Sequence, residues 1–443
     1  MTGRQRLIAV LLLGASFMLS VDFSILNIAL PVVGDAVGLD VDRLSWVSTA
    51  FALPAAGLAL LFGRLGDVFG RRGMFMAGLA VLAGASLLGG FAGNAVLLLG
   101  ARALQGVAAA ATAPAALSLL ITSFPDKRLR ARMLGVNGAL LSGGFTVGAL
   151  AGGLLVGGLS WRWAFLVNVP VALVILLLTL FVVPVSRSPG GVRLDVAGAA
   201  TVTAGLLGVV FGITERSLPA LLAGVVLLVA FVSIERRAPV PLVALDLLVR
   251  RSVRLGNLAV LTIFSMEAGL IFLMTIYMQE VLHLGPLQTG LVFGVPGLAS
   301  IAAGVVAGRV IGHRGARPVL LTAMCVQGGF TAPLLLLGHG VVWLWLLIPA
   351  LFIGFFGHIT SVVAATVTAT TDVPDADAGL ATGLVTVSQR TATALGVPVL
   401  GGVMALRGDL LSGIHLALVV DVVITLVVIV VVAVGLRPSD AVR

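Results

Sequence analysis

Runs of about twenty consecutive apolar residues recur along this chain, and no other feature constrains its fold so tightly. A helix of that length crosses about 30 Å of hydrocarbon, where each backbone N–H and C=O must find a partner within its own segment. The runs cover 7–33, 44–62, 74–92, 96–121, 133–156 and 163–183. Two shorter ones follow at 196–213 and 218–234, and six more at 255–281, 289–311, 319–337, 341–365, 379–406 and 411–436. Composition agrees: 59% of the 443 residues are hydrophobic and 10% are charged, whereas soluble domains are about a quarter charged. The reading is an all-α polytopic membrane protein with fourteen transmembrane helices. The first run is too long for a signal-peptide core and lacks a convincing cleavage site, so it counts as a retained span.

An even number of spans puts both termini on one side. Most of the 27 Lys and Arg fall in short loops on that side, which the positive-inside rule assigns to the cytoplasm of a cell membrane. Trp46, Trp161, Trp163, Trp343 and Trp345 all fall at the opposite ends of spans, where indole rings favour the interface. The loop "TDVPDADAG", with Asp372, Asp375 and Asp377 and no basic residue, is the exception. The net charge of +9 is scattered among loops, so it reads as a topology signal rather than a nucleic-acid surface. Cys325 is the only cysteine, which excludes a disulfide or cysteine metal site within one chain. There is no GxxxxGKS or GxxxxGKT loop to drive transport with ATP, and no His/Glu pair of the zinc-protease kind. A secondary transporter, not an enzyme, remains.

The chain also repeats itself. "GRLGDVFGRR" starts at Gly63 after the second span, and "GRVIGHRGAR" starts at Gly308 after the second span of the last six. Gly63, Gly70 and Arg72 match Gly308, Gly315 and Arg317 at one constant offset. Two six-span halves, 1–185 and 251–443, therefore flank an inserted pair and linker at 186–250.

Five segments resemble one family in order. "VDFSILNIALP" carries Asp22, Asn27, Ala29, Leu30 and Pro31, with Ser24 where threonine is usual. "GRLGDVFGRRG" carries Gly63, Asp67, Gly70, Arg71 and Arg72; "LLGARALQGVAAA" carries Arg102, Gln105 and Gly106. "GFTVGALAGG" carries Gly144, Gly148, Gly152 and Gly153, and "WRWAFLVNVP" opens the sixth span. Together they resemble the fourteen-span drug:proton antiporters of the major facilitator superfamily. That resemblance implies two six-helix bundles around a central cavity, a charge-relay latch in the second-to-third-span loop, and close packing by the fifth span. Two positions depart from it: Ala149 stands where exporters usually have proline, and Arg390 sits in the thirteenth span, whereas several multidrug members carry acidic residues in the second half that help bind cationic drugs. The second copy of the latch has Gly312 in place of the acid.

Ionisable groups inside the spans are the most informative residues, because such groups usually face a protein interior or a watery cavity. On straight helices Asp22 lies about 16 Å and Arg102 about 9 Å below the outer ends of their spans. Glu267 and Arg390 lie about 17 Å from the opposite ends and are candidate partners of each other. In the resemblance the first and fourth spans line the cavity, so Asp22 and Arg102 can approach, with Asn27 and Gln105 beside them. His358 falls on another cavity-lining span; Asp421 falls on a peripheral one and takes no role. Gly144, Gly148 and Gly152 recur every fourth residue, which places them on one helix face for close approach of another backbone. Asp67 adds nothing to a positive-inside signal, which favours a latch with Arg71 and Arg72.

The expected function is proton-coupled export of small amphipathic organic compounds, with no cofactor beyond the proton gradient. The partners are the substrate, protons and the lipid bilayer. A metabolite transporter, including an uptake symporter, is the alternative; a non-transporting sensor lacks any added soluble domain.

Overall fold

The computed structural model describes residues 1–124, 126–184, 195–238, 245–374 and 377–436. The first half comprises α1 (Gly3–Val37), α2 (Ser45–Gly57), α3 (Ala59–Phe69), α4 (Arg71–Gly90), α5 (Ala95–Ser123), α6 (Lys127–Gly158), α7 (Trp163–Leu166) and α8 (Asn168–Val182). The inserted pair is α9 (Val196–Thr214) and α10 (Leu218–Glu235). The second half comprises α11 (Arg251–Ile276), α12 (Pro286–Arg314), α13 (Ala316–Thr331), α14 (Leu344–Thr371), α15 (Ala378–Met404) and α16 (Leu410–Gly435). The expected boundary at 185/186 lies outside the described residues.

Among the described residues, twelve helices are long and apolar enough to cross a membrane, or thirteen when α2 and α3, bent by 51°, count as one span. The expected count of fourteen also needs α15, which is 27 residues long. It falls short of the same measure of apolarity because Ser388, Gln389 and Arg390 interrupt it. The bend between α2 and α3 follows Pro54, whose ring removes a helical hydrogen bond. Thr203 of α9 donates to the Gly57 carbonyl at that break, 2.8 Å away.

Two contacts fix the directions of the helices. Gln279, just past α11, donates to the Ile28 carbonyl near the end of α1 (2.8 Å), so the two helices run the same way. Gly435, at the end of α16, packs on Leu255 near the start of α11. The first residues and the end of α16 therefore share one face, the terminal face; the opposite one is the far face.

The core divides accordingly. On the far side a single apolar cluster joins both halves, taking in Ile25, Leu30, Val47 and Ala149 with Phe272, Tyr277 and Phe293. Towards the terminal face it splits into one cluster almost entirely from the first half, around Phe75 and Leu119, and one from the second, around Val260 and Ala365. Helices α6 and α12 show the same splay. Gly153, Gly290 and Gly294 lie tight against the facing helix, whereas Gly135, Gly138, Gly304 and Gly308 have open space where a Cβ would be. The molecule is closed on the far side and open on the terminal side.

The repeat survives in detail. Gly70 (φ 97°) and Gly315 (φ 79°) begin α4 and α13 in a backbone conformation that disfavours side chains. Two residues on, Arg72 and Arg317 donate to the carbonyls of Leu180 (2.6 Å) and Ala433 (3.0 Å), which tie each loop to the last helix of its own half.

Candidate functional site

A sealed polar network occupies the first half. Asp22 (0% exposed) and Arg102 (1%) form an ion pair between α1 and α5 at 3.2 Å. The other carboxylate oxygen of Asp22 accepts from Asn168 at the start of α8 (2.5 Å) and from Gln105 (3.4 Å). Gln105 accepts from Arg102 (2.8 Å) and donates to Ser86 on α4 (2.9 Å). Arg102 also donates to the Val47 carbonyl (3.1 Å), and its guanidinium lies 4.5 Å from the Phe51 ring centre. Three helices thus meet at one carboxylate, and α2 and α4 join them through Arg102 and Gln105. Each buried polar atom needs such a partner in this apolar surrounding, because an uncompensated charge there is expensive. Asn168, Ser86 and Phe51 were not singled out from the sequence; the first two carry the signal that was available, a polar side chain within an apolar run.

The second half is arranged differently from the expectation. Glu267 pairs with His358 on α14, at 2.6 Å, not with Arg390. The reason is helical geometry. The seam between α11 and α15 is formed by Ser265 donating to the Ala392 carbonyl (2.9 Å), by Ser388 donating to Asn257 (2.8 Å) and by Gly269 against Gly396. Positions two residues away lie about 200° round each helix, so Glu267 and Arg390 both turn off that seam. His358 is held edge-on by the Phe264 ring, with centres 5.4 Å apart. Arg390 forms no hydrogen bond or ion pair among the described residues.

Between the halves lies a cavity of about 380 Å³. Phe23, Phe51, Phe145, Phe264 and Phe355 supply aromatic walls, and Glu267, His358 and Arg390 are its ionisable lining residues. Asp22 and Arg102 do not line it; Phe23 and Phe51 do, and the Phe51 ring separates the Arg102 guanidinium from it. No residue of the inserted pair lines it either. The volume suits one drug-sized molecule, and a mostly apolar wall with a few convergent polar groups is the usual character of such sites.

A profile of the Major Facilitator Superfamily matches residues 12–397. This chain belongs to that superfamily. It is 37% identical over 406 residues to the puromycin resistance protein pur8 of Streptomyces alboniger, covering 89% of this chain and 80% of that one. It is 36% identical over 402 residues to the cephamycin export protein CmcT of Amycolatopsis lactamdurans, covering 87% and 82%. To the lincomycin resistance protein of Streptomyces lincolnensis it is 32% identical over 406 residues, covering 89% and 82%. Among solved structures, an auto-inhibited peptide transporter of the POT family matches with a TM-score of 0.75 over 98% of both chains. At 13% identity that likeness concerns the fold alone.

Asp67 pairs with Arg71 one turn away at 3.0 Å, on the terminal face. Gly144, Gly148 and Gly152 do lie on one face, packed on α1 at Ser20, Ser24 and Ile25 of the same half. Ser20 and Ser24 donate across this seam to the Leu141 and Phe145 carbonyls, both at 2.6 Å. Contact between halves falls instead to Gly153, against Pro286 and Leu287, and to Ala149, against Gly290. Asn27 is buried but turns back to the Phe23 carbonyl of its own helix (2.8 Å), apart from the Asp22 network. Asp421 is buried on α16, away from the cavity, with Thr425 donating to it at 3.4 Å.

Proposed function

We propose that this chain is a proton-coupled secondary transporter that exports small amphipathic organic compounds by alternating access. One observation carries the reading: an aromatic-walled cavity between two pseudo-repeated halves, open on the terminal side, with the Glu267–His358 pair in its wall. Relatives over most of the chain are antibiotic resistance and export proteins by name, which supports a cargo of that class. The excess of Lys and Arg on the terminal side supports cytoplasmic termini in the cell membrane, so the cavity faces the cytoplasm.

Two carboxylates take different parts in this proposal. Glu267 is 17% exposed and meets protons and cargo directly. Asp22 is sealed, and its charge holds α1 to α5 and α8 through Arg102, Gln105 and Asn168. A proton on Asp22 removes the attraction to Arg102, which keeps the Val47 carbonyl, Gln105 and the Phe51 face as partners. Protonation therefore loosens one helix seam and leaves the arginine with neutral partners alone. The loop that carries the Asp67–Arg71 pair acts as the latch, engaging the neighbouring helices when the terminal side closes.

The test is efflux from cells carrying the gene, with and without a protonophore, against a panel that includes puromycin and lincomycin. Protonophore-sensitive efflux of at least one compound is expected. Accumulation raised above that of control cells, the uptake behaviour that Ala149 keeps in play, would reverse the assigned direction.

A further inference from the structure

The charges on the cavity wall do not cancel in pairs. Glu267 is satisfied by His358 at 2.6 Å, and Arg390 is left with no hydrogen bond or ion pair among the described residues. Arg390 is nonetheless half-buried, on a largely apolar wall that includes five phenylalanines. A guanidinium in such a place calls for an anion, since an uncompensated cation in an apolar surrounding is costly. Its planar fork of donors matches a carboxylate in bidentate fashion.

Taking the cavity as the cargo site of the function proposed above, we propose that Arg390 docks a carboxylate of the cargo, and that the cavity selects zwitterionic amphipaths. The carboxylate sits on Arg390, a cationic group faces Glu267, and the aromatic body lies among Phe23, Phe145 and Phe355. This arrangement also explains exchange. With the proton gone from the Glu267–His358 pair, the wall presents one fixed charge of each sign, complementary to a zwitterion. With the proton present, the negative end of that pattern is neutralised and the cationic end of the cargo loses its partner.

Rhodamine B, a zwitterion with a free carboxylate, and its ethyl ester, a cation of nearly the same shape, provide the test. Binding to the purified full-length protein in detergent is read by fluorescence anisotropy. Rhodamine B should bind about tenfold more tightly than the ester, as expected for one charge-assisted bidentate contact. Arg390→Gln should abolish that preference and Arg390→Lys should retain part of it. Glu267→Gln should weaken both dyes alike. Equal affinities in the unaltered protein, tighter binding of the ester, or no saturable binding of rhodamine B overturns the proposal, and none of these depends on a variant folding. Phosphatidylglycerol added to the micelles separates the other source of an anion. If it displaces rhodamine B from the unaltered protein, a lipid headgroup is the partner of Arg390 and the cargo assignment falls. Binding is read without a gradient, so a failure of proton coupling or of export leaves these ratios intact.

Discussion

Replacing Asp22 by Asn isolates the charge at the centre of the first half. Three donors converge on this carboxylate: Arg102 on one oxygen, Asn168 and Gln105 on the other. An amide of the same shape has one acceptor and one donor atom, so at least one donor is turned against another. It also strands the Arg102 cation at 1% exposure. Breaking a buried pair from one side costs about 3–5 kcal/mol. Arg102→Gln, which leaves the anion with Asn168 and Gln105, should cost a similar amount. The double variant carries neither charge and should recover about 2–3 kcal/mol relative to the sum of the singles, the range seen for residues sharing a network. Reversible unfolding in mixed micelles titrated with sodium dodecyl sulfate measures all four proteins. Additive losses, with coupling under about 0.5 kcal/mol, would refute the claim that these two charges compensate each other. Asp22→Asn should still reach the membrane yet lose proton-coupled efflux per molecule of protein; normal efflux per molecule would remove Asp22 from the mechanism.

Other expectations concern the seams. A cysteine pair at Gly157→Cys and Leu287→Cys, in a Cys325→Ser background, should form a disulfide across the far side, because a Cβ at 157 would lie 3.4 Å from the Leu287 Cβ. Transport should stop on oxidation and return on reduction; unaffected transport would argue against opening at α6 and α12. Gly148→Val should destabilise by about 1–3 kcal/mol, since even a Cβ there would meet Ser24 and Val21 of α1 at 2.7 Å. Gly143→Ala, with nothing within 4 Å, serves as the neutral control in the same unfolding assay. The inserted pair touches both halves at the far rim: Trp46 of α2 donates to Glu215 (2.9 Å), and Arg216 donates to the Ala405 carbonyl at the end of α15. Glu215→Ala combined with Arg216→Ala should raise far-side labelling of a cysteine placed at Ser45 in the Cys325→Ser background; unchanged labelling would make the pair a passive packing element.

Membrane helices announce themselves because about twenty apolar residues have few other uses, which is why thirteen of the fourteen expected spans meet the length and apolarity measure. The span at α15 illustrates the limit of that signal, since the residues that lower its hydropathy include cavity-lining ones. The Asp22–Arg102 pair was legible because each is a lone charge in an apolar run, and such charges must find each other. The partner of Glu267 was not legible. Depth along a straight helix gives distance from the membrane surface but not rotation about the axis, and rotation decides between His358 and Arg390. The glycine stripe had the same weakness: spacing placed Gly144, Gly148 and Gly152 on one face but could not say that α1 of the same half covers it. Asn168 was overlooked as one letter of the "WRWAFLVNVP" segment, although a polar side chain in an apolar run carries the same warning as a charge. The bend at α2 and α3 could have been read from Pro54.

Proton flux measured together with cargo flux tests the central claim most directly. Proteoliposomes with an acidic interior, containing the pH dye pyranine, receive a compound shown to be effluxed by cells. The fraction of protein with its terminal side outward should accumulate that compound while the interior becomes more alkaline, and Asp22→Asn should show neither change. Accumulation without any proton movement, or accumulation that instead requires an alkaline interior, would contradict proton-coupled export.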